Sequence, residues 1–169
     1  VNNGIKLEYT IKDDIKNELR RIDKIFESKS NLTVTKDENE ICAEDDNINY
    51  SVNIYNYNEL TKVEVIVINK NKTLSECYLK LLVQEIRNSN FINERYFSFI
   101  KGKIKVKDEN VFEDIENKLK INISESLDIS NGSIAKATMM DGTDINIGQI
   151  TYDTGSYLII GTPIIFVTY

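Results

Sequence analysis

Apolar residues recur along the chain with two periods, and the periods alternate. In "YTIKDDIKNELRRIDKIFESK" they stand at Ile11, Ile15, Leu19, Ile22, Ile25 and Phe26. These steps of three and four lay one stripe along a helix. Asp13 and Asp14 fall in its expected first turn and Lys29 near its end, as the helix dipole favours. From Asn31 the period drops to two. β-Branched and aromatic residues dominate "NLTVTKDENEICAEDDNINYSVNIYNYNELTKVEVIVINKN", and polar clusters at 37–39, 44–46 and 58–59 break it. The pattern predicts four antiparallel strands near 31–36, 39–44, 48–57 and 61–69. "TLSECYLKLLVQEIRN" returns to helical spacing, with Leu74, Cys77, Tyr78, Leu81, Leu82 and Ile86 on one stripe and Thr73 with Glu76 as a capping box.

The second half repeats the theme. "ERYFSFIKGKIKV" predicts a long strand. "NVFEDIENKLK" predicts a helix with Asn110 and Glu113 as its capping box and Val111, Ile115 and Leu119 facing inward. Strands follow near 122–129, 132–140, 143–152 and 155–169, with Asp141-Gly142 as a hairpin tip. The one proline, Pro163, lies inside the last of these. Proline has no amide to donate, so it belongs at an edge or a bulge. Gly161 supports a bulge, after which the strand is expected to resume at 164–169.

Helix, four strands and helix are thus followed by strand, helix and four strands. This order suggests two pseudo-repeat halves, about 1–90 and 91–169, in a single domain spanning 1–169. "INYSVNIYNYNEL" at 48–60 aligns with "INIGQITYDTGSY" at 145–157, matching Tyr55 to Tyr152. The expected class is α+β: a curved antiparallel sheet with helices packed on one face. Duplicated units of this kind fit the TATA-box-binding-protein-like architecture. "IGTPII" at 160–165 and "NYNE" at 56–59 resemble the YwmB-like family, uncharacterised proteins of spore-forming Gram-positive bacteria with that fold. The resemblance implies an exported or envelope-associated protein and brings no catalytic residues with it. The chain opens at Val1 without a methionine, as a mature chain whose signal peptide has been removed would, a cytoplasmic location being the alternative.

Charge and rare residues narrow the chemistry. Net charge is −6 at pH 7, a poor start for gripping phosphate backbones or anionic lipid. Histidine is absent, which removes the usual general base, the usual zinc ligand and any Ser-His-Asp or Cys-His site. No apolar run approaches the roughly 20 residues of a membrane-spanning helix. Cys42 and Cys77 read as buried thiols, or as a disulfide if the protein is exported. "KDENE" at 36–40 and "EDDN" at 44–47 lack calcium-loop spacing and read as solvated turns. No metal, no cofactor and no enzymatic activity are expected.

The candidate partner site lies on strand faces. Along "RYFSFIKGKIKV", Tyr96, Ser98, Ile100, Gly102, Ile104 and Val106 share the face suited to packing under helices. Phe97, Phe99, Lys101, Lys103 and Lys105 share the other. The bland alternative is that Phe97 and Phe99 fill a second, smaller core and the lysines are a solvated strand end. Val63, Val65 and Val67 alternate with Glu64, Ile66 and Ile68, so both faces of that strand read as rather apolar, and Tyr55 and Tyr57 share one face that rims a groove. The leading expectation is a non-enzymatic module that presents a sheet face to a protein, peptide or cell-wall partner through Phe97, Phe99, Lys101, Lys103, Tyr55 and Tyr57. The alternatives are a single-stranded nucleic-acid binder through Phe97, Phe99 and Lys101 to Lys105, and a hydrolase built on carboxylates alone.

Overall fold

The computed structural model describes residues 2–70, 74–104 and 111–166. Along the chain these form β1 (Asn2–Ile11), α1 (Ile15–Glu27), β2 (Thr33–Lys36), β3 (Glu40–Glu44), β4 (Ile48–Tyr57), β5 (Leu60–Asn69) and α2 (Glu76–Ile86). There follow β6 (Asn93–Ile104), α3 (Val111–Leu119), β7 (Asn122–Ile129), β8 (Gly132–Thr138), β9 (Asp144–Tyr152) and β10 (Gly155–Thr162). The class is α+β with antiparallel pairing. The chain divides into two compact units, Asn2–Tyr96 and a second from Phe97 onward, and the division falls within β6.

In the first unit the strand order is β2-β3-β4-β5-β1. Side chains alternate across each strand. Ile5, Leu7 and Tyr9 of β1, Val52 and Ile54 of β4, and Val63, Val65 and Val67 of β5 all point to one face, where α1 and α2 bury them under Ile22, Phe26, Leu79, Val83 and Ile86. Each such aliphatic or aromatic burial is worth about 1.5–3 kcal/mol. The opposite face of this sheet carries the alternate residues of the same strands, most of them polar but with Ile66 and Ile68 of β5 among them.

Two expectations are corrected here. The hydrophobic pattern places no strand before α1 and puts Ile11 on the helix. Instead "GIKLEYTI" alternates as β1, Ile11 ends it, and Asp14 is the helix N-cap, accepting from Asn17 N at 2.8 Å. The inward stripe of α2 is also rotated. Leu79, Leu82, Val83 and Ile86 are buried, while Cys77, Tyr78 and Leu81 are exposed. Apolar residues cover so much of this helix that several stripes fit the spacing, and the packing selects one. Its N-cap is Ser75, whose hydroxyl accepts from Tyr78 N at 3.2 Å; the expected cap, Thr73, lies outside the described residues.

In the second unit the order is β6-β10-β9-β8-β7. Ile115 of α3 packs with Ile121, Ala135, Ala137, Ile145 and Ile147. Leu119, expected inside, is half exposed at the helix end. Asn110, Lys105 and Val106 lie outside the described residues. Both units therefore run strand, helix, four strands, with the last strand beside the first and the strand after the helix at the end of the order.

The last strand is shorter than expected. β10 ends at Thr162, and Pro163 stands just beyond it rather than within it. The chain then turns back over its own strand. A Cβ on Gly161 would lie 2.8 Å from Ile165 Cγ1 and 2.9 Å from the Ile164 carbonyl oxygen, so glycine is required by close approach. Residues 167–169 of the expected strand lie outside the described residues.

Candidate functional site

The face of the second unit that looks away from α3 is where sequence placed Phe97, Phe99, Lys101 and Lys103. The alternation along β6 is as expected, but the rings are not open. Phe97 and Phe99 are only 4% and 5% exposed. The turn-back after Pro163 lays Phe166 over them, edge-on, with centroids 6.4 Å from Phe97 and 5.2 Å from Phe99. The bland reading of these two residues, a small second core, describes their surroundings. On the helix-side face, Ile100 is half exposed although its pairing partner Ile160 packs toward α3. Lys101 Nζ stands 4.9 Å from the ring centroids of both Tyr152 and Tyr157. Lys103 Nζ donates to the Thr154 carbonyl at 2.6 Å. Aromatic rings free to stack bases, with lysines free beside them, are thus not found at 97–103.

Tyr55 and Tyr57 belong to the outer face of the first unit, and this face is the better candidate. Four alternating charges form a lattice across β1 and β5. Lys6 Nζ lies 2.7 Å from Glu8 and 3.1 Å from Glu64, and Lys62 Nζ lies 3.0 Å from Glu8 and 3.4 Å from Glu64. Glu8 and Glu64 are direct pairing partners, so without the lysines two carboxylates would face each other. Tyr55 donates its hydroxyl to Glu64 at 2.7 Å, and Lys62 also sits near the Tyr55 and Tyr57 rings. Burial alone would raise the Glu8 carboxyl, but the ammonium groups of Lys6 and Lys62 reverse this and leave it below its ordinary range. Burial alone would lower Lys62, yet Glu8 and Tyr55 hold it above its ordinary value. Neither shift prepares a general acid or a nucleophilic amine, which need the opposite directions.

At the other end of the same face, a groove of about 360 Å³ opens over β2 to β5. Ile66 and Ile68 give it an apolar lining; Thr35, Cys42, Asn49 and Ser51 give it polar groups. The Cys42 thiol and the Ser51 hydroxyl both donate to Glu40 Oε1 at 3.3 Å. Burial, then Glu40, pushes the thiol up, so Cys42 is no activated nucleophile. Asn49 Oδ1 is buried without a hydrogen-bond partner among the described residues, an unfilled acceptor in the groove lining. The β5 face read as apolar is therefore half lattice and half groove. The alternation of Asn49, Ser51, Asn53 and Tyr55 with buried Ile48, Tyr50, Val52 and Ile54 was visible in the sequence, but the groove on this face is lined by Asn49 and Ser51 and not by Tyr55 and Tyr57, which were expected to rim it.

A carboxylate set apart from water does exist, at Glu18 on α1, and sequence reading missed it. It is fully buried. Tyr9 donates to it at 2.7 Å, Asn88 at 2.7 Å, and Arg21 grips both oxygens at 2.7 and 2.8 Å. Burial pulls its pKa up, but these donors outweigh that and leave it lowered. Every oxygen is spoken for, so this carboxylate clamps α1 to β1 and to the end of α2 rather than serving as an acid or base.

Cys42 and Cys77 are free thiols, the second exposed rather than on the buried stripe. The acidic clusters form turns: Asp37 N donates to the Glu40 carbonyl, and Asp45 Oδ1 accepts from the amides of Asn47 and Ile48. Among the described residues no three His, Cys, Asp or Glu side chains gather as a metal would need, and no helix is long and apolar enough to cross a membrane.

No family model and no curated protein matches the chain. Among solved structures it is similar to DynU16, a protein of the dynemicin biosynthetic locus, at 8% identity and a TM-score of 0.36, over 94% of this chain and 86% of that one. A likeness so distant carries nothing about activity.

Proposed function

We propose that the protein is a non-enzymatic interaction module of the cell envelope, and that the outer face of its first unit receives a protein or peptide partner. The observation that carries this is the groove over β2 to β5, with apolar Ile66 and Ile68 beside the polar Thr35 and Ser51. A docked apolar side chain would bury that lining, and the Thr35 and Ser51 hydroxyls beside it can take polar groups. The saturated state of Glu18, Glu8 and Lys62 supports a binding role over catalysis. The recurrence of strand, helix, four strands with one pairing order supports descent of both units from one TATA-box-binding-like ancestor. The "GTPII" and "NYNE" segments support YwmB-like membership, and through it export.

The test is site-specific photo-crosslinking in envelope extracts, with the crosslinker at Ser51 in the groove or at exposed Ser89. A band from the Ser51 position that disappears with Ile66→Asp is expected. Identical bands from both positions would place the partner elsewhere. Recovery of the natural protein only from the cytoplasmic fraction of its cells would overturn the compartment while leaving the groove untouched.

A further inference from the structure

β7 ends the strand order of the second unit, and among the described residues it is hydrogen-bonded to a neighbouring strand on one side only. Its first part is closed. The Ile123 amide donates to Glu116 Oε1 of α3 at 2.8 Å, and a register shift follows between Ile123 and Glu125. Among the described residues nothing caps the stretch from Glu125 to Ile129 in this way, and it carries few of the devices that blunt an edge: no proline, no lysine, and a leucine that is 61% exposed.

The side chains along this stretch say what would pair with it. Leu127 pairs with Ile134 and Glu125 with Lys136, on the face away from α3, beside a depression of about 130 Å³ lined by Leu127, Ile134, Lys136 and Asn146. Asp128 pairs with Ser133, on the α3 side, and accepts from its hydroxyl at 2.7 Å. Lys136 Nζ lies 3.0 Å from Glu125 but is two-thirds exposed, so that pair is weak in water. The edge is thus an acid, an apolar and an acid position in fixed register. We infer that β7 accepts an extended basic peptide segment as an added antiparallel strand. Opposite Asp128, Leu127, Ser126 and Glu125 the segment would read basic, apolar, any residue, basic. Direct cross-strand pairs of opposite charge stabilise such an addition, and main-chain bonds supply the rest. A second copy of this chain is the poorer occupant, since it brings the same carboxylates and a net charge of −6 to the same edge.

Fluorescence anisotropy with two labelled peptides, one centred on Lys-Val-Thr-Lys and one on Glu-Val-Thr-Glu, tests this on the whole chain. The native protein should prefer the basic peptide about tenfold, from two cross-strand pairs. The double variant Glu125→Lys, Asp128→Lys should reverse the preference. Hydrogen exchange on the native protein, which needs no variant, should show new protection at 125–128 when the basic peptide is added. Equal affinities in both proteins, binding with no protection at 125–128, or no binding of either peptide would each overturn the inference. A lost groove partner at Ser51 has no bearing on this edge, so the two readings fail separately.

Discussion

A carboxylate with no exposed surface is stable at Glu18 only because Tyr9, Arg21 and Asn88 saturate it. Its lowered pKa fixes a sign. The unfolded chain binds the proton more readily, so the clamp contributes fully above the ordinary Glu range and is lost as pH falls through the lower folded value. Glu18→Gln should therefore cost about 3 kcal/mol near neutral pH, by leaving Arg21 without its charge partner. It should also flatten the acid arm of a urea-unfolding series taken across pH. An acid arm as steep as the native one would show that other carboxylates carry it. Backbone strain gives a second prediction at this scale. The β4–β5 turn holds Asn58 and Glu59 at φ 45° and 63°, where the second position favours glycine. Glu59→Gly should raise stability by roughly 0.5–1 kcal/mol, read as a higher melting temperature.

Between elements, the lattice on β1 and β5 works as a register lock. Slipping β1 by one residue would send Lys6 and Glu8 into the core face, and slipping β5 would send Lys62 and Glu64 there. Removing one lysine should expose what it suppresses. Lys62→Met leaves one ammonium, Lys6, between the two carboxylates Glu8 and Glu64 and should destabilise by about 1–2 kcal/mol, whereas Lys62→Met with Glu64→Met keeps the Lys6–Glu8 pair and should recover much of that loss. A double-mutant cycle by chemical denaturation measures it, and additive losses would mean that the lattice is decorative. Elements of this kind were legible where one period ran uninterrupted: β4, β5, β8 and β9 were expected within a few residues of where they stand. β1 was lost because the helical stripe was extended back to Ile11, across the Asp14 cap. The stripe of α2 was misplaced because its spacing allowed several. The fate of Phe97 and Phe99 was not legible at all, since their cover, Phe166, lies far along the chain and reaches them only through the turn-back at Gly161. Glu18 and Arg21 at helical spacing were in plain view, but Tyr9 and Asn88 join them only in space.

At the level of the whole molecule, the two units have the same topology but apolar clusters of different size. Among the described residues, the first buries nineteen in one apolar cluster, including Leu7, Val52, Val65 and Val83. Among those of the second, the cluster under α3 has six, two of them alanines, and Phe97, Phe99, Ile150 and Ile159 are buried apart from it. Apolar burial is the main source of stability, and alanine contributes little to it. The units should therefore differ in how readily they open. Native-state hydrogen exchange should find its slowest amides in β1, β4 and β5, with β7 to β9 exchanging through a lower-energy opening. Ile147→Ala should speed exchange in the second unit by a large factor, while Val65→Ala should speed the slowest amides of the first and leave the lower-energy opening of the second nearly unchanged. A cavity of that kind costs about 2–4 kcal/mol, well within reach of the measurement. Uniform protection across both units, moved equally by either substitution, would mean that the chain opens as one cooperative body despite its unequal clusters.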